Sequence, residues 1–114
     1  MLEKQEKILK ALSDKNRIRI VKMLQIKPLC VCEIREVLRL AVSTVSKHLS
    51  ILRDAGLIVD WKDGKWINYK INPKPEPLVA NALLYIQLQL EDDATVIKDR
   101  KSIAHTDRNI LCSK

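Results

Sequence analysis

Across 114 residues, glycine occurs only at Gly56 and Gly64, and proline only at Pro28, Pro73, Pro75 and Pro77. These two residue types are the strongest local interrupters of regular structure. A chain with so few of them is divided into long segments with well-marked stops. Everything before Gly56 is expected to be helix and short turns. Ile8, Leu9 and Leu12 give a first helix its apolar side. Ser13 or Asp14 can cap a second, in which Ile18, Ile20, Val21 and Leu24 recur at helical spacing, ending near Ile26 ahead of Lys27-Pro28. A third helix starting near Val31 turns Ile34, Val37 and Leu38 inward. After a brief Arg39 to Val42 connection, a fourth runs from about Ser43 to Ala55, with Val45, Leu49 and Leu52 on one face. Gly56 then falls where a left-handed helix terminus is wanted.

The period changes beyond that glycine. Residues 57–71 (LIVDWKDGKWINYKI) are rich in β-branched and aromatic side chains around Asp63-Gly64, a strong hairpin signal. A two-residue turn there places Trp61 opposite Trp66 and Ile58 opposite Tyr69. The run Asn72-Pro73-Lys74-Pro75-Glu76-Pro77 can continue neither strand nor helix. Past it, Val79, Leu83, Ile86, Leu90 and Ile97 repeat near helical spacing. The spacing predicts one long helix over 78–100 whose apolar stripe, widened by Leu84 and Leu88, is suited to a dimer contact. The expected organisation is one domain over 1–100, with a wing hairpin at 58–71, and a flexible tail over 101–114. Apolar residues make up 46% of the chain, too many for a disordered one. The longest apolar stretch, Leu78 to Leu90, is broken by Asn81, Gln87 and Gln89 and is too short and polar to span a bilayer. The N-terminus has no signal-peptide pattern, and a cytoplasmic protein is expected.

Charge is uneven. Residues 1–74 carry 16 basic and 8 acidic side chains, residues 75–114 only 5 and 6. The front two thirds therefore suit a polyanion. Two short helices around a tight connection, the second followed by a basic hairpin, describe a mainly α winged helix-turn-helix, whose second helix enters the DNA major groove. Ser43, Thr44, Ser46, Lys47 and His48 supply short polar or cationic groups around that helix's start, where backbone N–H groups and the dipole favour phosphate. Lys62 and Lys65 flank the hairpin tip. Each has a plainer reading too: Ser43 as a helix cap, His48 as a surface histidine, the lysines as solubilising charges, and the two tryptophans as a hairpin clasp. Their joint order along the chain favours DNA. No Cys-x-x-Cys in a βαβ pattern, no Cys/His/acid arrangement and no phosphate-binding glycine loop points to an enzyme.

Four pieces of the chain carry a family likeness: LKALSDKNRIRIVKML (9–24), PLCVCEI (28–34), TVSKHLSILRDAGLI (44–58) and DGKWINYKINP (63–73). Over about residues 9–73 the chain resembles the ArsR/SmtB family of bacterial metal-sensing transcriptional repressors. The Leu-Cys-Val-Cys-Glu run and the Gly-Lys-Trp wing are similar to its arsenite-responsive branch. The resemblance implies a homodimer joined through first and last helices, bound to a near-palindromic double-stranded operator and released by its inducer. There are departures. The family often opens its recognition helix with a small polar cap and Gln-Pro, but Ala41, Val42 and Ser43 stand here, and Val42 cannot make the bidentate amide contact to adenine. Some arsenic sensors have a third thiol where this chain has Arg35.

Cys30, Cys32 and Cys112 are the candidate metal ligands. An odd number of cysteines in a reducing compartment argues for free thiols or metal ligands over a disulfide framework. Helical residues two apart point about 200° from each other, so on a regular helix Cys30 and Cys32 cannot share an ion. At the start of the third helix they can converge if the first turn distorts, and soft thiolates select soft ions. Arsenite and antimonite are the expected inducers, with cadmium as a second ion and no cofactor required. Cys112 is either a third ligand, from its own chain or the partner's, or a tail thiol without a role. A closed zinc site needs four ligands; His48 and His105 do not complete one at family spacing, and Glu91, Asp92 and Asp93 read as a solvated face. The alternatives are a cadmium- or lead-responsive repressor, although the N-terminal cysteines common in those sensors are absent, and a thiol-redox-responsive one.

Overall fold

The computed structural model describes residues 1–106. Six helices and three strands follow in the order α1 (Leu2–Ala11), α2 (Lys15–Leu24), β1 (Leu29–Cys30), α3 (Val31–Leu38), α4 (Val42–Asp54), β2 (Ile58–Asp63), β3 (Trp66–Ile71), α5 (Pro77–Leu88) and α6 (Ala94–Ile103). Asp14 caps α2, its carboxylate accepting the N–H groups of Asn16 and Arg17 at 2.8 and 3.1 Å. Burial alone would push the Asp14 carboxyl up, but those two N–H groups and the Arg17 charge hold it below the usual carboxylate range. The predicted inward faces of α3 and α4 hold: Ile34, Leu38, Val45, Leu49 and Leu52 are buried together with Ile20, Val21 and Leu24 from α2.

Helix α4 ends as expected. Gly56 has φ +81, its N–H reaches the Arg53 carbonyl, and the Leu57 N–H reaches that of Leu52 at 3.1 Å. This pair of bonds is a Schellman closure, and buried Leu57 turns the chain directly into the hairpin.

Several expectations are corrected. Leu9 is exposed, because the inner side of α1 is carried by Ile8 and Ala11; with Leu12, Leu78 and Tyr85 it lines a groove between α1 and α5. The segment before Gly56 is not all helix and turn. Leu29 and Cys30 form a strand pairing antiparallel with β3, Leu29 opposite Tyr69 and Cys30 opposite Asn68. The sheet order is β1-β3-β2. The hairpin exists, but its turn is Gly64-Lys65, closed by Asp63 opposite Trp66, so Trp61 faces Asn68 and Ile58 faces Ile71. Gly64 has φ +61 while Lys65 does not enter the positive region, which fits a primed turn with glycine as its first central residue. The tryptophans are consequently diagonal neighbours, not opposite ones.

The predicted long helix over 78–100 is two helices. Leu90 adopts φ +64, and Asp93 starts α6 by accepting the N–H groups of Thr95 and Val96 at 2.9 and 3.1 Å. Helix α6 folds back onto α2 and α3, fixed by a bidentate pair of Arg19 with Asp99 at 2.8 and 3.0 Å. Val96 is buried and Ile97 exposed. The first six residues of the expected tail are docked too, with Ile103 buried and the Thr106 hydroxyl donating to Glu33 at 2.7 Å. The acidic run is exposed as expected, but Glu91 also accepts from Lys22 at 2.9 Å and from Arg100 at 2.6 Å. Those two cations hold the Glu91 carboxyl below its ordinary range, Lys22 foremost. Lys22 itself is buried, its Nζ lying 2.7–3.3 Å from the carbonyls of Ile86, Gln87 and Gln89. A cation is favoured there, where the last carbonyls of α5 lack helical partners.

Candidate functional site

Helix α4 starts without a side-chain cap. Its N-cap is Ala41, and Ser43, read from sequence as a cap or base reader, lies inside the first turn. The first N–H groups of α4 thus have no side-chain acceptor, at the point where a helix terminus attracts phosphate. Around them Ser43, Thr44, Lys47 and His48 line one shallow cleft of about 490 Å3 together with Arg17. Ser46 is exposed on the same helix but lies outside that cleft.

Arg17 escaped the sequence reading. Its guanidinium closes α1 by donating to the Ala11 carbonyl at 2.8 Å and the Lys10 carbonyl at 3.2 Å, and its Nη1 lies 3.1 Å from His48 Nδ1. If the arginine donates there, the imidazole is left with its Nε2 proton for a ligand. Spacing gives no hint that a residue of α2 braces a side chain of α4; only the run of basic residues at 15–19 hinted at a charged surface.

Lys62 and Lys65 are exposed on the hairpin. Lys65 sits in the turn, its ammonium 5.0 Å from the Trp66 ring centre, and Lys70 lies 5.2 Å from that of Trp61. The tryptophans therefore brace lysines along the wing. The wing is tied to α4 through Arg53, which donates to Asp60 at 3.0 Å.

The candidate ligand sulfurs lie at the start of α3. Cys30 ends β1 and is the N-cap of α3, and it is only 1% exposed. Its sulfur accepts the Glu33 backbone N–H, while the Glu33 carboxylate accepts the Cys30 N–H at 3.0 Å. This is a capping box with sulfur in the place of the usual hydroxyl. Burial pushes the Cys30 thiol above its ordinary range, and the Glu33 charge adds to this against the pull of the N–H groups. Cys32, half-buried in the first turn of α3, is disulfide-bonded, against the expectation of free thiols, while Cys30 is a free cysteine; Cys112 lies outside the described residues. No group of three His, Cys, Asp or Glu side chains poised for a metal ion occurs among the described residues. The start of α3 is a regular, closed turn, so any shared ion must open it.

Residues 14–59 match the family model described as bacterial regulatory protein, arsR family. An arsenical resistance operon repressor of Escherichia coli is 39% identical over 67 residues, 58% of this chain and 57% of that protein. The arsenic resistance transcriptional regulator ArsR2 of Pseudomonas putida is 33% identical over 98 residues, 81% and 84% of the two chains. A cadmium resistance regulator, the CadC homolog of Staphylococcus aureus, is 33% identical over 69% of this chain and 67% of its own. Among solved structures, HlyU from Vibrio cholerae superposes with a TM-score of 0.65 at 29% identity, over 78% of this chain and 95% of that one. The homodimeric winged helix-turn-helix domain of Mb0332 from Mycobacterium bovis, at 23% identity, shares the fold with a TM-score of 0.65 over 93% and 88%.

Proposed function

Since the chain belongs to the ArsR family of bacterial regulators and has its winged helix-turn-helix fold, we propose that it is a DNA-binding transcriptional repressor released from its operator by trivalent arsenic or antimony. The observation that carries this reading is the Cys30–Glu33 capping box: the candidate ligand sulfur is also the group that closes the helix packed against α4.

For DNA, Ser43, Thr44, Ser46 and Lys47 meet the duplex at the open start of α4, with His48 held by Arg17 beside them. Lys62 and Lys65 reach the backbone from the wing. Two copies act together. Leu2, Leu9, Leu84, Tyr85 and Leu88 are each more than half exposed on α1 and α5, an apolar surface suited to a partner. In this reading the dimer helix is α5 and not α6, because α6 packs onto α2 and α3. Such a pairing sets the recognition helices about 34 Å apart, one DNA turn.

A thiol reductant first opens the Cys32 disulfide, two reductant thiols becoming a disulfide as both sulfurs become thiols. Arsenite, As(OH)3, then exchanges hydroxide for thiolate, each protein thiol giving its proton to a departing hydroxide, which leaves as water, as an As–S bond forms. Cys30 and Cys32 cannot reach one ion on a regular turn. Capture therefore draws the Cys30 sulfur off the Glu33 N–H and unwinds the first turn of α3. Helix α3 then loses its fixed hold on α4, and operator affinity falls by a coupling of ~1–3 kcal/mol. Cys112 is the proposed third sulfur.

The test is fluorescence anisotropy on DNA from the region preceding the protein's own coding sequence, in the presence of reductant. Arsenite should release the wild type but not the Cys30→Ser/Cys32→Ser variant, and release of that variant would refute the site. Unchanged arsenic affinity in Cys112→Ser would remove the third ligand. Cadmium and an oxidant, run in parallel, separate the other inducers.

A further inference from the structure

A cleft of about 780 Å3 opens between the C-terminal end of α3 and α6 and shares no lining residue with the α4 cleft. Its volume is in the range of small-molecule sites, ~300–1,000 Å3. Arg19 and Asp99 on its wall satisfy one another. Arg39, Lys98 and His105 also line it, all exposed and none in an ion pair with another described residue. Ser102 adds a hydroxyl, and among the described residues Glu36 is the one further carboxylate of the lining.

Arg39 is the most informative of these. It is the C-cap of α3 with φ 56 and ψ 43, a left-handed conformation that glycine adopts without strain and a long side chain does not. The chain keeps an arginine where a glycine would make the turn more easily. Backbone strain of this kind is retained where the side chain has a task, and a guanidinium matches a phosphate with two parallel hydrogen bonds.

We propose that this cleft binds a phosphate group, held by Arg39 and Lys98 with His105 and Ser102 as further donors. The proposal is independent of the thiol reading. Because Arg39 lies in the connection that leads into α4, a bound phosphate ties α6 to the turn that aims the recognition helix. The phosphate comes either from a small phosphomonoester or from the backbone of DNA flanking the operator.

Inorganic phosphate and glycerol phosphate are titrated calorimetrically into the full chain at low salt in phosphate-free buffer, alongside the salt dependence of operator binding. Arg39→Gly and Lys98→Gln should each weaken phosphate at least ~10-fold, and Glu36→Gln should tighten it several-fold. Arg39→Gly should melt no lower than the wild type, so that its loss of binding is not a loss of fold. If the duplex supplies the phosphate, the logarithmic salt slope falls by about one in each cation variant; if a free ligand does, the slope stays and only the titrations change. Phosphate binding equal in wild type and variants, or absent in the wild type, together with an unchanged slope, overturns the proposal.

Discussion

Helices α3 and α4 begin at Val31 and Val42, and their first turns are treated in opposite ways. The start of α3 is sealed by its own chain: sulfur on a backbone N–H, carboxylate on another, and the whole box buried beneath Thr106. The start of α4 has an alanine at the capping position and hydroxyls, Lys47 and Arg17 around it. Donors closed internally can be released by whatever removes the closing group, whereas donors left open are available to an anion from outside. Under the proposed function, the first arrangement serves as a trigger and the second as a seat.

The largest effect should come from making the two starts alike. Ala41→Asp gives α4 a carboxylate cap, which stabilises the fold by ~0.5–2 kcal/mol but puts negative charge at the proposed phosphate contact. Operator affinity in anisotropy should fall at least ~100-fold while the melting temperature rises; retained binding would show that the seat lies elsewhere. Opening the sealed start is next. Glu33→Ala leaves the buried Cys30 N–H without its acceptor and should cost ~1–3 kcal/mol in denaturant unfolding, with Glu33→Gln closer to the wild type because an amide oxygen still accepts.

Smaller changes sharpen the role of sulfur. Cys30→Ser keeps a capping atom and should stay within ~1 kcal/mol of the wild type, whereas Cys30→Ala should lose ~0.5–2 kcal/mol; equal melting curves for the two would mean that the sulfur closes nothing. The smallest signal is in pH. Burial raises the Cys30 thiol pKa in the folded chain, so the folded form keeps this proton longer than the unfolded one. Its contribution to stability is complete below the unfolded thiol's pKa and is lost as pH climbs through the folded value. Unfolding free energy should therefore decline on the alkaline side, and less steeply in Cys30→Ser.

Much of this was legible in the sequence. The buried faces of α2, α3 and α4 follow from helical spacing, and Gly56 marked its own left-handed turn. The hairpin register was not, because Asp63-Gly64 and Gly64-Lys65 are both acceptable turns and a shift between them changes every cross-strand pair by two. Strand β1 is too short to show a period. The break between α5 and α6 falls at Leu90, which holds a left-handed backbone without being glycine, so no interrupter announced it; only Asp93 ahead of Ala94-Thr95 was readable as a new cap. At the candidate sites, the residue types around α4 and the thiol pair could be listed from the sequence. The reach of Arg17 to His48 and the Cys30–Glu33–Thr106 chain could not, since spacing does not say where a side chain ends once helices have packed.

Lys22 offers a practical handle. Its ammonium, gathered in by the end of α5 and by Glu91, is out of reach of any reagent that must approach through solvent. In pulsed acylation read by mass spectrometry, surface amines should be modified at once and Lys22 only when the molecule opens. The chain thus contains a native gauge of its own integrity, against which every variant above can be checked without adding a label.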